Sequence, residues 1–107
     1  MKYEVVTIPP FEKQLKHLSR KYPSIKEDLR KIGERLSENP FVGQPLGNNC
    51  FKIRINISSK VKGKSGGGRI ITHIYNFESK VFLLTIYDKS EKADLTDSEL
   101  KELLKHI

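Results

Sequence analysis

Apolar residues recur along this chain first at helical spacing and then in strict alternation. Residues 3–8, Tyr-Glu-Val-Val-Thr-Ile, predict a short strand, closed by Pro9 and Pro10, which can open a helix in its first turn. Phe11, Leu15, Leu18 and Tyr22 then fall at i, i+4, i+7 and i+11, one stripe of an amphipathic helix that Pro23 breaks. Ile25, Leu29, Ile32 and Leu36 repeat the spacing. Ser24 with Glu27 three residues on is a capping-box signature ahead of them, and Asn39-Pro40 stops this second helix. Two helices joined this closely predict an antiparallel hairpin with both stripes against one sheet.

Residues 41–49 hold Gly43, Pro45, Gly47, Asn48 and Asn49 and read as loop. The period then becomes two: Phe51, Ile53, Ile55 and Ile57 alternate with Lys52, Arg54 and Asn56, a strand with one buried and one cationic face. A basic loop over 58–68 ends in three glycines. Strands at about 69–77 and 81–88 follow, the second apolar on both faces and so interior. Thr96 and Glu99 form another capping-box signature before Leu100, Leu103, Leu104 and Ile107. The expected fold is α+β, a single domain over 1–107 in the order β-α-α-β-β-β-α. The helical hairpin covers one face of a mostly antiparallel four-stranded sheet, and the polar face is left open.

Length and composition narrow this further. At 107 residues and 36% hydrophobic content the chain can bury one modest core, which excludes a large multidomain enzyme. Cys50 is the only cysteine, so no internal disulfide or thiolate metal site is expected; it reads as a small buried residue at a strand start. His17, His73 and His106 show no metal-ligand spacing, so neither metal nor cofactor is expected. The N-terminus lacks an apolar signal core, and the apolar run Val81–Tyr87 is too short to span a bilayer, so the expectation is a cytoplasmic protein with no membrane partner.

Charge changes the picture most. The formal net charge is +7, yet residues 39–77 contain no acidic residue and six cations: Lys52, Arg54, Lys60, Lys62, Lys64 and Arg69. The rest of the chain is nearly neutral. A surplus confined to one segment points to an anionic partner, with nucleic acid foremost. Lys52 and Arg54 point the same way from their strand, and Arg69 opens the next. If these strands are antiparallel neighbours, three cations share one face beside a glycine-rich loop, an arrangement suited to phosphate. Gly63-Lys64-Ser65 resembles the end of a nucleotide-binding loop, but the required first glycine is Ser58 and a strand follows where a helix should, which excludes that motif. Tyr87 to Leu95 adds Lys89 and Lys92 among Asp88, Glu91 and Asp94, and on composition alone reads as a solvated helix lead-in.

Taken together, the element order, Glu38-Asn39-Pro40, Phe51-Lys52-Ile53-Arg54-Ile55, Gly63 to Ile71 and Tyr87 to Leu95 resemble the RelE/HigB superfamily of toxins, most closely its HigB-like branch. The resemblance implies the toxin of a type II toxin–antitoxin module. It implies a metal-independent endoribonuclease that cuts messenger RNA on the ribosome and is neutralised by a cognate antitoxin. RNA supplies its own 2′-hydroxyl nucleophile, so the enzyme must align, move protons and stabilise charge on phosphorus. Arg69 matches the residue for transition-state charge, Lys52 and Arg54 the basic strand positions, and Lys89 the basic position after the last strand. A lysine crowded by other cations can take or give a proton. Lys60, Lys62, Lys64, His73 and Lys92 are the expected RNA-binding set, with His73 sharing Arg69's strand parity and able to stack on bases. Two positions depart from the pattern: Thr72 and Thr96 stand where relatives often have tyrosine. Two rivals share the resemblance or the charge: a ParE-like gyrase poison, and a non-catalytic RNA- or ribosome-binding module.

Overall fold

The computed structural model describes residues 2–60 and 67–107. Strand β1 (Glu4–Thr7) leads into helices α1 (Pro9–Lys21) and α2 (Ile25–Glu38), then strands β2 (Gln44–Gly47), β3 (Cys50–Ile55), β4 (Gly68–Tyr75) and β5 (Lys80–Asp88), and finally helix α3 (Asp97–Leu104). One five-stranded sheet runs in the order β1-β5-β4-β3-β2. β3, β4 and β5 form the expected antiparallel meander, and β1 joins its edge parallel to β5.

The sheet has one strand more than expected. Residues 44–47 pair antiparallel with β3, Gln44 opposite Lys52 and Gly47 opposite Cys50. Asn48 and Asn49 both take positive φ, 54° and 59°, which is the geometry of a two-residue hairpin turn whose twist matches its strands. Pro45 is tolerated because β2 is an edge strand, and the register slips between Pro45 and Gly47.

Both helical stripes are buried as spaced: Phe11 and Leu18 from α1, Ile25, Ile32 and Leu36 from α2. They join Ile53, Ile55, Ile70 and Ile86 in the core. Residues one position off, Lys52, Arg54, Arg69 and Tyr87, therefore point to the opposite sheet face. Cys50 is buried as expected, and burial pushes its thiol up to about 11. The capping box at Thr96 is formed, Glu99 N–H donating to its hydroxyl at 3.1 Å and Thr96 N–H to the Glu99 carboxylate at 2.9 Å. That at Ser24 is not: its hydroxyl donates to Asp28 at 2.7 Å, and Glu27 accepts from Arg30 instead. No helix among the described residues is long and apolar enough to cross a membrane.

Candidate active site

The β3–β4 register puts Arg54 directly opposite Arg69, with Lys52 opposite Ile71. Lys52, Arg54 and Arg69 thus share one face, as the strand parity requires. Like charges placed directly across a ladder are unfavourable, so fold stability gives no reason for this pair. Arg69 is only 8% exposed, and its guanidinium donates to the Gly68 carbonyl at 3.0 Å, which fixes the charged end of the side chain. Lys89 follows β5, and its N–H donates to the Gly67 carbonyl at 3.1 Å, so Lys89 is tied beside the start of β4.

Asp94, from the β5–α3 connection, reaches into these cations. Its carboxylate accepts from Leu95 N–H at 2.9 Å and from Lys52 Nζ at 3.3 Å. These two bonds, with the nearby charges of Lys52 and Lys89, hold it below the usual carboxylate range. The strand register and the Lys89 backbone bond bring Lys52, Arg54, Arg69 and Lys89 to one end of the sheet, and the Asp94 carboxylate lies beside Lys52 and Lys89.

The expected RNA-binding residues are not gathered in the same way. Lys60 points inward rather than outward. Its side chain is 7% exposed, and Nζ lies 2.8 Å from Asp88 and 3.2 Å from the Gly67 carbonyl. The amine of this expected RNA-binding residue thus meets an internal carboxylate. Lys92 is ion-paired to Glu99 at 2.6 Å on a half-exposed surface. His73 lies opposite Cys50, with Nδ1 3.5 Å from Sγ, about 13 Å along β4 from Arg69 at the usual rise per residue. Burial lowers its pKa, opposed by a bond that the ring donates to the Asn48 backbone. Lys62 and Lys64, and the Gly63-Lys64-Ser65 stretch, lie outside the described residues. Thr72 is fully buried, its hydroxyl 3.5 Å from the Phe51 carbonyl, and Thr96 is occupied as a helix cap.

Two residues escaped the sequence reading. Asp88 is no part of a solvated lead-in: it is 1% exposed and accepts from Tyr22 Oη, Lys60 Nζ, Ser90 N–H at 2.9 Å and Ser90 Oγ at 2.7 Å, with Lys21 at 3.4 Å. Burial works to raise its carboxyl, but the bonds from Lys60, Tyr22 and Ser90 prevail and hold it well below the usual range. Tyr87 lies opposite Arg69 on β5, and its hydroxyl is buried with no hydrogen-bond partner among the described residues. The sequence places it at the end of the apolar run Val81–Tyr87 and at the head of the Tyr87–Leu95 connection, and assigns it no role of its own. Its pairing with Arg69 could have been read from the β4–β5 register, once that was known.

No group of three or more His, Cys, Asp or Glu side chains among the described residues is placed to hold a metal ion. What the site offers is fixed positive charge and directed N–H and O–H donors, the equipment for binding a phosphodiester and stabilising charge that develops on it.

A small α+β domain with a cationic sheet face beside a short C-terminal helix is the class of protein these features define. A family model described as the RelE toxin of the RelE/RelB toxin–antitoxin system matches residues 11–107. The chain belongs to the RelE toxin family. Its fold is similar to a doubly substituted E. coli toxin RelE in the free state, with TM-score 0.64 and 21% identity over 100% of this chain and 99% of that one. It is also similar to the toxin–antitoxin complex RelBE2 from Mycobacterium tuberculosis, with TM-score 0.62 and 20% identity over 82% of this chain and 99% of that one. The same E. coli mutant bound to an antitoxin RelB peptide gives TM-score 0.57 and 20% identity, over 100% of this chain and 99% of that one. The match is to RelE as a whole and does not single out the HigB-like branch.

Proposed function

We propose that this toxin is a metal-independent endoribonuclease that cuts messenger RNA, on the ribosome, and so arrests translation in the cytoplasm. The observation that carries the reading is the Arg54–Arg69 pairing, with Lys52 and Lys89 around the Asp94 carboxylate. In the proposed reaction a phosphate takes the place of that carboxylate. The 2′-oxygen attacks the adjacent phosphorus, the bond to the 5′-oxygen breaks, and a 2′,3′-cyclic phosphate and a 5′-hydroxyl end are left. The proton of the 2′-hydroxyl is removed and one is returned to the 5′-oxygen; Lys52 and Lys89 carry these transfers. Arg69, anchored by Gly68, stabilises the extra charge on the phosphoryl oxygens, and Arg54 orients the strand. A cognate antitoxin is the proposed protein partner, as the related folds bound to RelB-type antitoxins support.

Inducible expression with primer-extension mapping of transcripts tests this. Growth arrest with cuts in messenger RNA, reduced roughly a hundredfold or more in rate by Arg69→Ala, is the expected outcome. Arrest with intact transcripts and stalled gyrase would replace the reading with gyrase poisoning. A harmless protein that co-sediments with ribosomes would replace it with a binding module.

A further inference from the structure

Tyr87 is 5% exposed, and its hydroxyl has no hydrogen-bond partner among the described residues. Buried hydroxyls are nearly always paired, and phenylalanine would fill the same volume without the cost of an unpaired group. Packing alone therefore does not account for a phenol at this position.

Its surroundings supply a reason. Tyr87 is the cross-strand partner of Arg69 and projects from the same sheet face as Lys52 and Arg54. Tyr87 also lines a cavity of about 570 Å³ between α1 and α3, together with Lys92, Leu95 and Glu99, which Lys52, Arg54, Arg69 and Lys89 do not line. The charged groups that act on the phenol are Asp94, Glu99 and Arg69. None of them bonds it. Asp94, the nearest competitor for the cations, is itself bonded to Lys52 and Leu95.

We propose that the Tyr87 hydroxyl is a further phosphate-contacting group of this site, donating its O–H to a non-bridging oxygen of the RNA phosphate that displaces Asp94 from Lys52. The inference rests on the nuclease reading for the identity of its ligand. Burial pushes the phenol up, and Asp94 and Glu99 add to the shift, so the group stays protonated and serves as a donor, not as a base. The cations supply charge with little direction, whereas one fixed neutral donor defines where an oxygen must sit. No proton changes owner in this contact.

Tyr87→Phe tests it, with Tyr3→Phe, which removes an exposed phenol bonded to Asn76, as the control. Three measurements are needed: thermal melting, single-turnover cleavage of a ribosome-bound messenger, and anisotropy with an RNA carrying 2′-O-methyl groups that block cleavage. Tyr87→Phe is expected to melt at or above the wild-type temperature, because it loses an unpaired buried hydroxyl. It is expected to cleave roughly tenfold to a hundredfold more slowly and to bind the blocked RNA about threefold to tenfold more weakly. Tyr3→Phe should match the wild type in cleavage and binding. Wild-type cleavage with an equally active Tyr87→Phe overturns the inference and leaves the nuclease reading intact. If the wild type does not cleave, that reading fails, and the blocked RNA decides the rest: equal affinity overturns the Tyr87 contact, weaker affinity sustains it.

Discussion

Asp88 and Asp94 are six residues apart, and each meets a lysine, but burial gives them opposite work. Asp88 has a fully buried side chain and joins the end of α1, through Tyr22 and Lys21, to Lys60 before β4 and Ser90 after β5. Removing one partner of such a buried pair leaves the other charged and uncompensated, so Asp88→Asn should lose about 3–5 kcal/mol in denaturant unfolding. The pH dependence has a definite sign. The folded carboxyl titrates below its unfolded value, which is about 3.9. Its contribution is therefore fully present above that value and is lost as pH falls below it. Melting curves taken from pH 7 down to pH 2 should show the gap between wild type and Asp88→Asn closing only in the acid range; a gap constant across that range would contradict the assignment. Asp94, in contrast, is 66% exposed at its side chain, and its bond to Lys52 adds little stability. On the proposed nuclease reading it competes with RNA for the site. Asp94→Asn should leave the melting temperature nearly unchanged and tighten RNA binding several-fold at low salt, measured by anisotropy; weaker binding would show that Asp94 orders Lys52 and does not obstruct it.

At the scale of elements, the same sequence signature gave two different outcomes. Ser24 with Glu27 and Thr96 with Glu99 both read as capping boxes, and only the second forms. Ser24 is drawn away by Asp28 and by Ser59, whose N–H donates to its hydroxyl at 2.8 Å, while Glu27 is held by Arg30. Ser59 is 35 residues distant in sequence, so the pattern around Ser24 could not reveal it. The amphipathic stripes and the meander were legible because each depends on spacing within one element. The β2–β3 hairpin was legible in principle: Gly47-Asn48-Asn49 carries the residues that positive φ favours, but they were read as loop composition and not as a turn between strands. Asp88 and Tyr87 were not legible, since their burial is set by α1, β4 and the segment before β4. Thr96 gives the test at this scale. As a helix cap, Thr96→Ala should cost about 1 kcal/mol of stability and leave the single-turnover cleavage rate unchanged. A lost rate at full stability would move Thr96 from the helix to the chemistry.

Across the whole molecule, the charge that marks residues 39–77 divides into parts with different fates. Lys52, Arg54 and Arg69 share one sheet face, on which Arg69 is only 8% exposed, and Lys89 joins them from beyond the acid-free window. Lys60 is turned inward to Asp88 and neutralises a core carboxylate. Net charge therefore overstates what the molecule can present to a nucleic acid, and salt dependence can separate the two populations. For single strands the slope of log K against log salt is about −0.7 per phosphate neutralised, so four cations on the face predict a slope near −3. Lys89→Gln should reduce the magnitude of that slope by roughly 0.7 with little change in melting temperature, because the half-buried Lys89 side chain has no buried carboxylate partner of the kind Asp88 gives Lys60. Lys60→Gln should do the reverse, lowering the melting temperature by stripping Asp88 of its buried partner while the slope stays at the wild-type value. Both variants remove one unit of positive charge from a chain of net charge +7, so an effect of overall charge would shift their slopes equally. Unequal slopes would locate the RNA contact on the β3–β4 face, and equal ones would show that the long-range field of the molecule, and not this cluster, holds the RNA.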